Sequence, residues 1–145
     1  MTLDNLLGIG KLKQHAASKL ERARLMAAAE RALVDAKVAG LSSDARLDLA
    51  YRGIMQAALV AMLASGYRPV TNEPGHHQLL IQALPKTAGI ATERVRVLDA
   101  YRAARNRSDY LGVPVSDAVA QECAADAAAV LQHVRAWLGA NLLTS

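Results

Sequence analysis

Three arginines, an asparagine, an aspartate and a tyrosine stand within nine residues of this chain, in Arg102-Ala103-Ala104-Arg105-Asn106-Arg107-Ser108-Asp109-Tyr110. At roughly 100° per residue on a helix, Leu98, Arg102, Arg105 and Asp109 share one face, and Arg107 points away from it. Arg102 and Arg105 therefore continue an apolar stripe that begins at Val95 and Leu98. A guanidinium carried inward needs a partner, and two readings follow. Asp109, four residues beyond Arg105, can pair with it and fix the end of the helix. Alternatively Arg102 and Arg105 form an anion site, because a guanidinium makes bidentate contacts to phosphate.

The other chemistry-bearing residues point to bland roles. His76 and His77 are adjacent, so on a helix their side chains diverge by roughly 100° and cannot chelate one ion together. They read as a helix start or loop, and no metal site is expected. His15 and His133 are isolated, at surface or boundary positions of long helices. Cys123 lies on an apolar stripe and reads as a small core residue, while Tyr51 and Trp137 read as core or interface anchors. Gly8-Ile9-Gly10-Lys11 lacks the strand and the glycine spacing of a phosphate-binding loop.

These residues must be positioned by helices. The chain has 145 residues, is 52% hydrophobic and 3% aromatic, and contains no Phe. Strands draw on aromatic and β-branched residues, whereas alanine, about a fifth of this chain, is the best helix former. The single cysteine excludes an intrachain disulfide and any zinc site built from paired Cys-x-x-Cys motifs. The net charge of +4 is modest and intermixed with acids, so a solvated helix face is expected before a nucleic-acid patch. The N-terminus lacks the pattern of a secretory signal, and the apolar stretch from Gly53 to Gly66 is too short to span a membrane. A cytoplasmic protein is the expectation.

Five helical segments can be read after a short N-terminal segment (1–10), with residues 11–142 forming one bundle. The first runs from Lys11 to Val38, with Leu12, Ala16, Leu20, Ala23, Ala27, Val34 and Val38 at helical spacing. The second opens on the capping cluster Ser42-Ser43-Asp44 and closes at Gly66. Its stretch from Ile54 to Ala64 is apolar nearly all round, which makes it the central helix. A loop follows from Tyr67 to Gly75. The third helix spans His76 to Leu84 and is ended by Pro85. The fourth starts with Thr92 as N-cap and runs through Tyr110 to a stop at Gly112 and Pro114. The fifth opens at Ser116-Asp117 and carries Val119, Cys123, Ala127, Val130, Val134 and Leu138 on one stripe. Short loops connect antiparallel neighbours, so the expected fold is an all-α, up-down bundle of four to five helices. Alanine-rich faces bury little area each, and a second copy of the chain is expected to cover the remainder.

Arg105-Asn106-x-x-x-Tyr110 resembles the Arg-x(4–6)-His motif of the HEPN superfamily, in which a polar residue, commonly Asn, follows the arginine. Leu49-Ala50-Tyr51-Arg52-Gly53, the apolar run from Ala57 to Gly66 and His76-His77 opening the next helix are also similar to HEPN helices. The resemblance covers residues 12–138. It implies a dimer in which the arginine motifs of two chains face a shared cleft, and it implies no cofactor. Many members are metal-independent endoribonucleases, often toxins encoded beside a small nucleotidyltransferase. RNA or a nucleotide as ligand, a nucleotidyltransferase-type antitoxin as partner and a toxin–antitoxin or defence setting are what the resemblance implies here. Carried over, Arg105 holds the phosphate, Asn106 orients it and Tyr110 takes the histidine position; the shared helix face adds Arg102 and Asp109 to the expected ligand set. Arg-x-x-x-Asp-Tyr also resembles HEPN subfamilies without the histidine. A tyrosine near pKa 10 stays protonated at neutral pH, where a histidine near 6.5 exchanges protons. The alternative reading is a non-catalytic, dimerising protein-interaction module.

Overall fold

The structure is a computed structural model that describes residues 2–72 and 74–141. Its elements, in chain order, are α1 (Leu3–Gly8), β1 (Leu12–Gln14), α2 (Lys19–Ala36), α3 (Ser43–Ala64), β2 (Tyr67–Pro69), α4 (His76–Gln82), α5 (Leu84–Thr87), α6 (Thr92–Leu111) and α7 (Asp117–Asn141). The fold is all-α apart from a two-stranded ribbon.

Ser42 Oγ accepts a hydrogen bond from the Ala45 amide at 3.1 Å and so starts α3. Beyond that cap the helix is alanine and large aliphatics, and Leu47, Ala50, Tyr51, Ile54, Ala57, Ala58, Ala61 and Met62 are all essentially sealed from solvent. Such a helix has to be covered on several sides. It packs against α2 and α7 along their length and against α4, α5 and α6 at shorter contacts. Length and apolarity alone would let α3 cross a membrane, but 67% of its apolar window is buried inside the fold, as a core helix requires. The last helix follows its expected stripe: Cys123, Ala127, Val130 and Val134 are buried against α3.

The first predicted helix differs from the observed one. It begins at Lys19 rather than Lys11, capped by Ser18 Oγ, which accepts from the Glu21 amide at 3.0 Å. Residues 12–14 instead pair antiparallel with 67–69, matching Leu12 to Pro69 and Gln14 to Tyr67. That pairing buries Leu12 and withdraws it from any helix. The buried face of α2 is Ala29, Ala32 and Ala36, whereas Leu20, Val34 and Val38 are exposed. Two smaller differences have local causes. Pro85 opens α5 instead of ending the third helix, because a proline's missing N–H costs nothing in a first turn. The N-cap of α6 is Ala91, and Thr92 is its first helical residue.

Side-chain bonds lock the layers together. Tyr101 of α6 donates to Asp126 of α7, Arg135 of α7 pairs with Glu30 of α2, and the Val115 amide donates to Asp44 Oδ1 at 2.8 Å. In the loop before α6, Gly89 has φ +66°, and a Cβ there would lie 2.6 Å from Trp137 Cζ3. The indole of α7 therefore closes directly over that loop.

Candidate functional site

Arg105 lies on the inner side of α6, half-buried. Its Nε donates to Asp48 Oδ1 of α3 at 3.3 Å, and Asp109 Oδ2 stands farther off at 3.9 Å. Its Cζ sits 5.3 Å from the centroid of the Tyr51 ring, within the range of a cation–π attraction. The expected Arg105–Asp109 pair is thus the weaker of two, and the main partner comes from another helix. Arg102 does not join it. That side chain folds back on its own helix, with Nε 2.7 Å from Asp99 Oδ1, and the Asp99 carboxylate raises its pKa further. Asn106 is half-buried beside them.

Tyr110 is 82% exposed. The helix runs unbroken to Leu111, so five residues of rotation separate the two side chains by roughly 140°. Within one chain Arg105 and Tyr110 do not converge.

What Arg105 does face is a cavity of about 580 Å³ bounded by α2, α3, β2, α4 and α6. Leu25, Met55, Leu59, Leu63 and Leu80 give it an aliphatic interior. Its charged groups are Arg52 of α3, Arg68 of β2 and Arg105, opposed by Asp48 and Glu21. Both acids are engaged: Asp48 with Arg105, and Glu21 with His15 Nε2 at 2.8 Å. Arg52 and Arg68 are exposed and make no ion pair among the described residues. The cavity lining therefore carries two guanidinium groups without an ion pair among the described residues. No protein-family model matches this chain, and no curated protein does either.

The cavity wall also holds His76 and His77, which open α4 as expected. Their rings meet nearly edge-on, 4.5 Å apart at 74°, and His77 stands 6.2 Å from the Tyr51 ring. Partial burial lowers the His77 pKa, with smaller pushes from His76 and Arg105. Burial drives the Tyr51 phenol up to about 12, against the opposing pull of Arg105 and Arg102. Three buried polar atoms on cavity-lining residues have no hydrogen-bond partner among the described residues: Tyr51 Oη, Gln56 Oε1 and His76 Nδ1. Unsatisfied buried polar atoms are rare in native folds and cluster where strain or a ligand accounts for them. Among the described residues no group of three His, Cys, Asp or Glu side chains is gathered to hold a metal ion.

Asp48, Arg52, Arg68, His76 and His77 were missed by sequence reasoning as members of a site with Arg105. A signal existed for part of this. Asp48, Arg52 and Gln56 recur every fourth residue, which puts a polar stripe on one side of an otherwise apolar helix.

Proposed function

We propose that this chain is a HEPN-like phosphate-binding domain that takes RNA or a nucleotide at the mouth of the α3–α6 cavity. The observation that carries the reading is the convergence of Arg52, Arg68 and Arg105 from three elements, two of them without an ion pair, over an aliphatic interior. A phosphate is the ligand group best matched to such forks. Arg105 holds it, steadied by Asp48 and by the face of Tyr51. Arg52 and Arg68 supply the charge that Asp48 takes from Arg105.

The test is fluorescence anisotropy of a labelled single-stranded RNA across a salt series. With three phosphate-contacting arginines, log affinity should fall against log salt with a slope of about −2. Arg105→Ala should weaken binding at least tenfold and flatten that slope. Binding that ignores both salt and the substitution would remove the proposal. The same samples incubated with total RNA and EDTA test an endoribonuclease activity. Cleavage lost in Arg105→Ala assigns Arg105 to it, and cleavage that survives dismisses that role.

A specific surface favours pairing with a second copy of the chain as well. Tyr110, Leu111 and Val113 are exposed by 82%, 73% and 45% in one short stretch at the end of α6. Apolar side chains gathered in this way mark interaction surfaces. Sedimentation at micromolar concentration should give a dimer, and Tyr110→Glu with Leu111→Glu should give a monomer. A monomeric wild type would overturn this part.

A further inference from the structure

We infer that the ligand presents one unpaired nucleotide to this cavity, with its base lying against the ring of His77. The inference rests on the phosphate-binding reading above and adds to it the part of the ligand that goes inside.

Charge decides the orientation. Of the guanidinium groups that line the cavity, those of Arg52 and Arg68 are exposed and that of Arg105 is half-buried, while the aliphatic lining of Met55, Leu63 and Leu80 is buried. A phosphate cannot leave water for such walls without heavy cost, so the group that enters is uncharged and the phosphate stays at the arginines. A base satisfies this only when unpaired. In a duplex it is stacked and paired, and its edges face a groove instead of a pocket. A cavity of about 580 Å³ is in the range that accepts a small ligand and does not admit a helix of RNA.

Ring geometry selects His77. It is exposed where its neighbour His76 is half-buried, and the two rings meet nearly edge-on at 74°. Both His77 and Arg105 pack around Tyr51, at 6.2 Å and 5.3 Å from its centroid. A ring and a phosphate anchor thus stand on either contact of one buried tyrosine. Partial desolvation of the ring, followed by His76 and Arg105, lowers its pKa, so His77 offers an aromatic face without adding a charge to the arginine set. Base stacking on histidine is an established mode for single strands. Gln56 lines the same cavity, and its carbonyl oxygen has no partner; an exocyclic amine of a base is the donor it lacks.

The experiment compares anisotropy for one RNA sequence as a single strand and as a duplex, with wild type, His77→Ala, His77→Phe and Arg105→Ala. Wild type should bind the single strand at least tenfold more tightly than the duplex. Loss of a stacking ring should weaken single-strand binding by about tenfold. His77→Phe, which keeps a face but no nitrogen, should restore it. His77 is exposed, so these variants leave the core intact. Equal binding of strand and duplex, or His77→Phe as weak as His77→Ala, would overturn the inference. If Arg105→Ala still abolishes binding in that case, the phosphate reading stands alone. If wild type binds neither RNA, both fall together.

Discussion

Replacing Tyr51 by Phe removes one oxygen atom from the middle of the fold and leaves the ring in place. Tyr51 is 2% exposed, and its hydroxyl has no hydrogen-bond partner among the described residues. Mutational data put the cost of burying an unsatisfied hydroxyl at about 1–3 kcal/mol. The space left by a single oxygen takes back part of that gain, because neighbours lose contacts around a small void. Tyr51→Phe should therefore stabilise the protein by about 1 kcal/mol, which for a chain of this size raises Tm by about 3 °C. The guanidinium of Arg105 keeps its ring, since the 5.3 Å contact is to the ring centroid and not to the hydroxyl. RNA affinity should consequently be unchanged. Tyr51→Leu is the counterpart: it deletes the ring, loses cation–π attraction worth about 0.5–1 kcal/mol, and should weaken both stability and binding. Thermal melts followed by far-ultraviolet circular dichroism, with urea titrations to check that the slope is unchanged, measure both variants. A fall in Tm for Tyr51→Phe would show that the hydroxyl has a partner in solution, and the account of an unsaturated cavity wall would fail.

Two further outcomes follow from the packing. Gly89→Ala forces a Cβ to within 2.6 Å of Trp137 at φ +66°; strain and overpacking together should cost about 3 kcal/mol, and Tm should recover in part when Trp137→Leu is added. An unchanged Tm in the single variant would mean that the indole does not close over this loop. The protein should also be sensitive to alkali. Cys123 is raised from 9.0 to about 12 by burial and Asp126, Tyr51 from 10.0 to about 12 by burial, and Tyr101 upward by burial and its bond to Asp126. Unfolded, these groups release their protons earlier, so stability is intact below about pH 9 and is lost progressively toward pH 12. Urea midpoints across that window measure the loss, and Cys123→Ala should delay its onset toward pH 10; a flat profile would contradict the burial of these groups.

The helices were legible where local signals agreed with packing. Ser42 capped α3 as its neighbours suggested, Gly112 ended α6, and the stripe from Cys123 to Val134 became the buried face of α7. Reading failed where a distant segment decided the outcome. Leu12 fits a helical stripe as well as it fits a strand, and only Pro69, brought near by the length of α3, makes the choice. On α2 the alanine-rich sequence offers more than one small-residue face, and α3 buries Ala29, Ala32 and Ala36 in preference to Leu20 and Val34. Arg105 was found from its helix because its spacing placed it inward. Its companions could not be, since Asp48, Arg68 and His77 are assembled from elements whose adjacency no local pattern encodes.

The ribbon of residues 12–14 against 67–69 has a consequence for how the molecule is born. Its first strand leaves the ribosome well before the second, and its hydrogen-bonding edge stays unmatched until the whole of α3 and the turn after it have been synthesised. Leu12 is then drawn under, and Arg68 takes its station in the same event. Until then residues 12–14 have no partner strand, and the pairing that completes the ribbon also sets the backbone from which Arg68 lines the cavity.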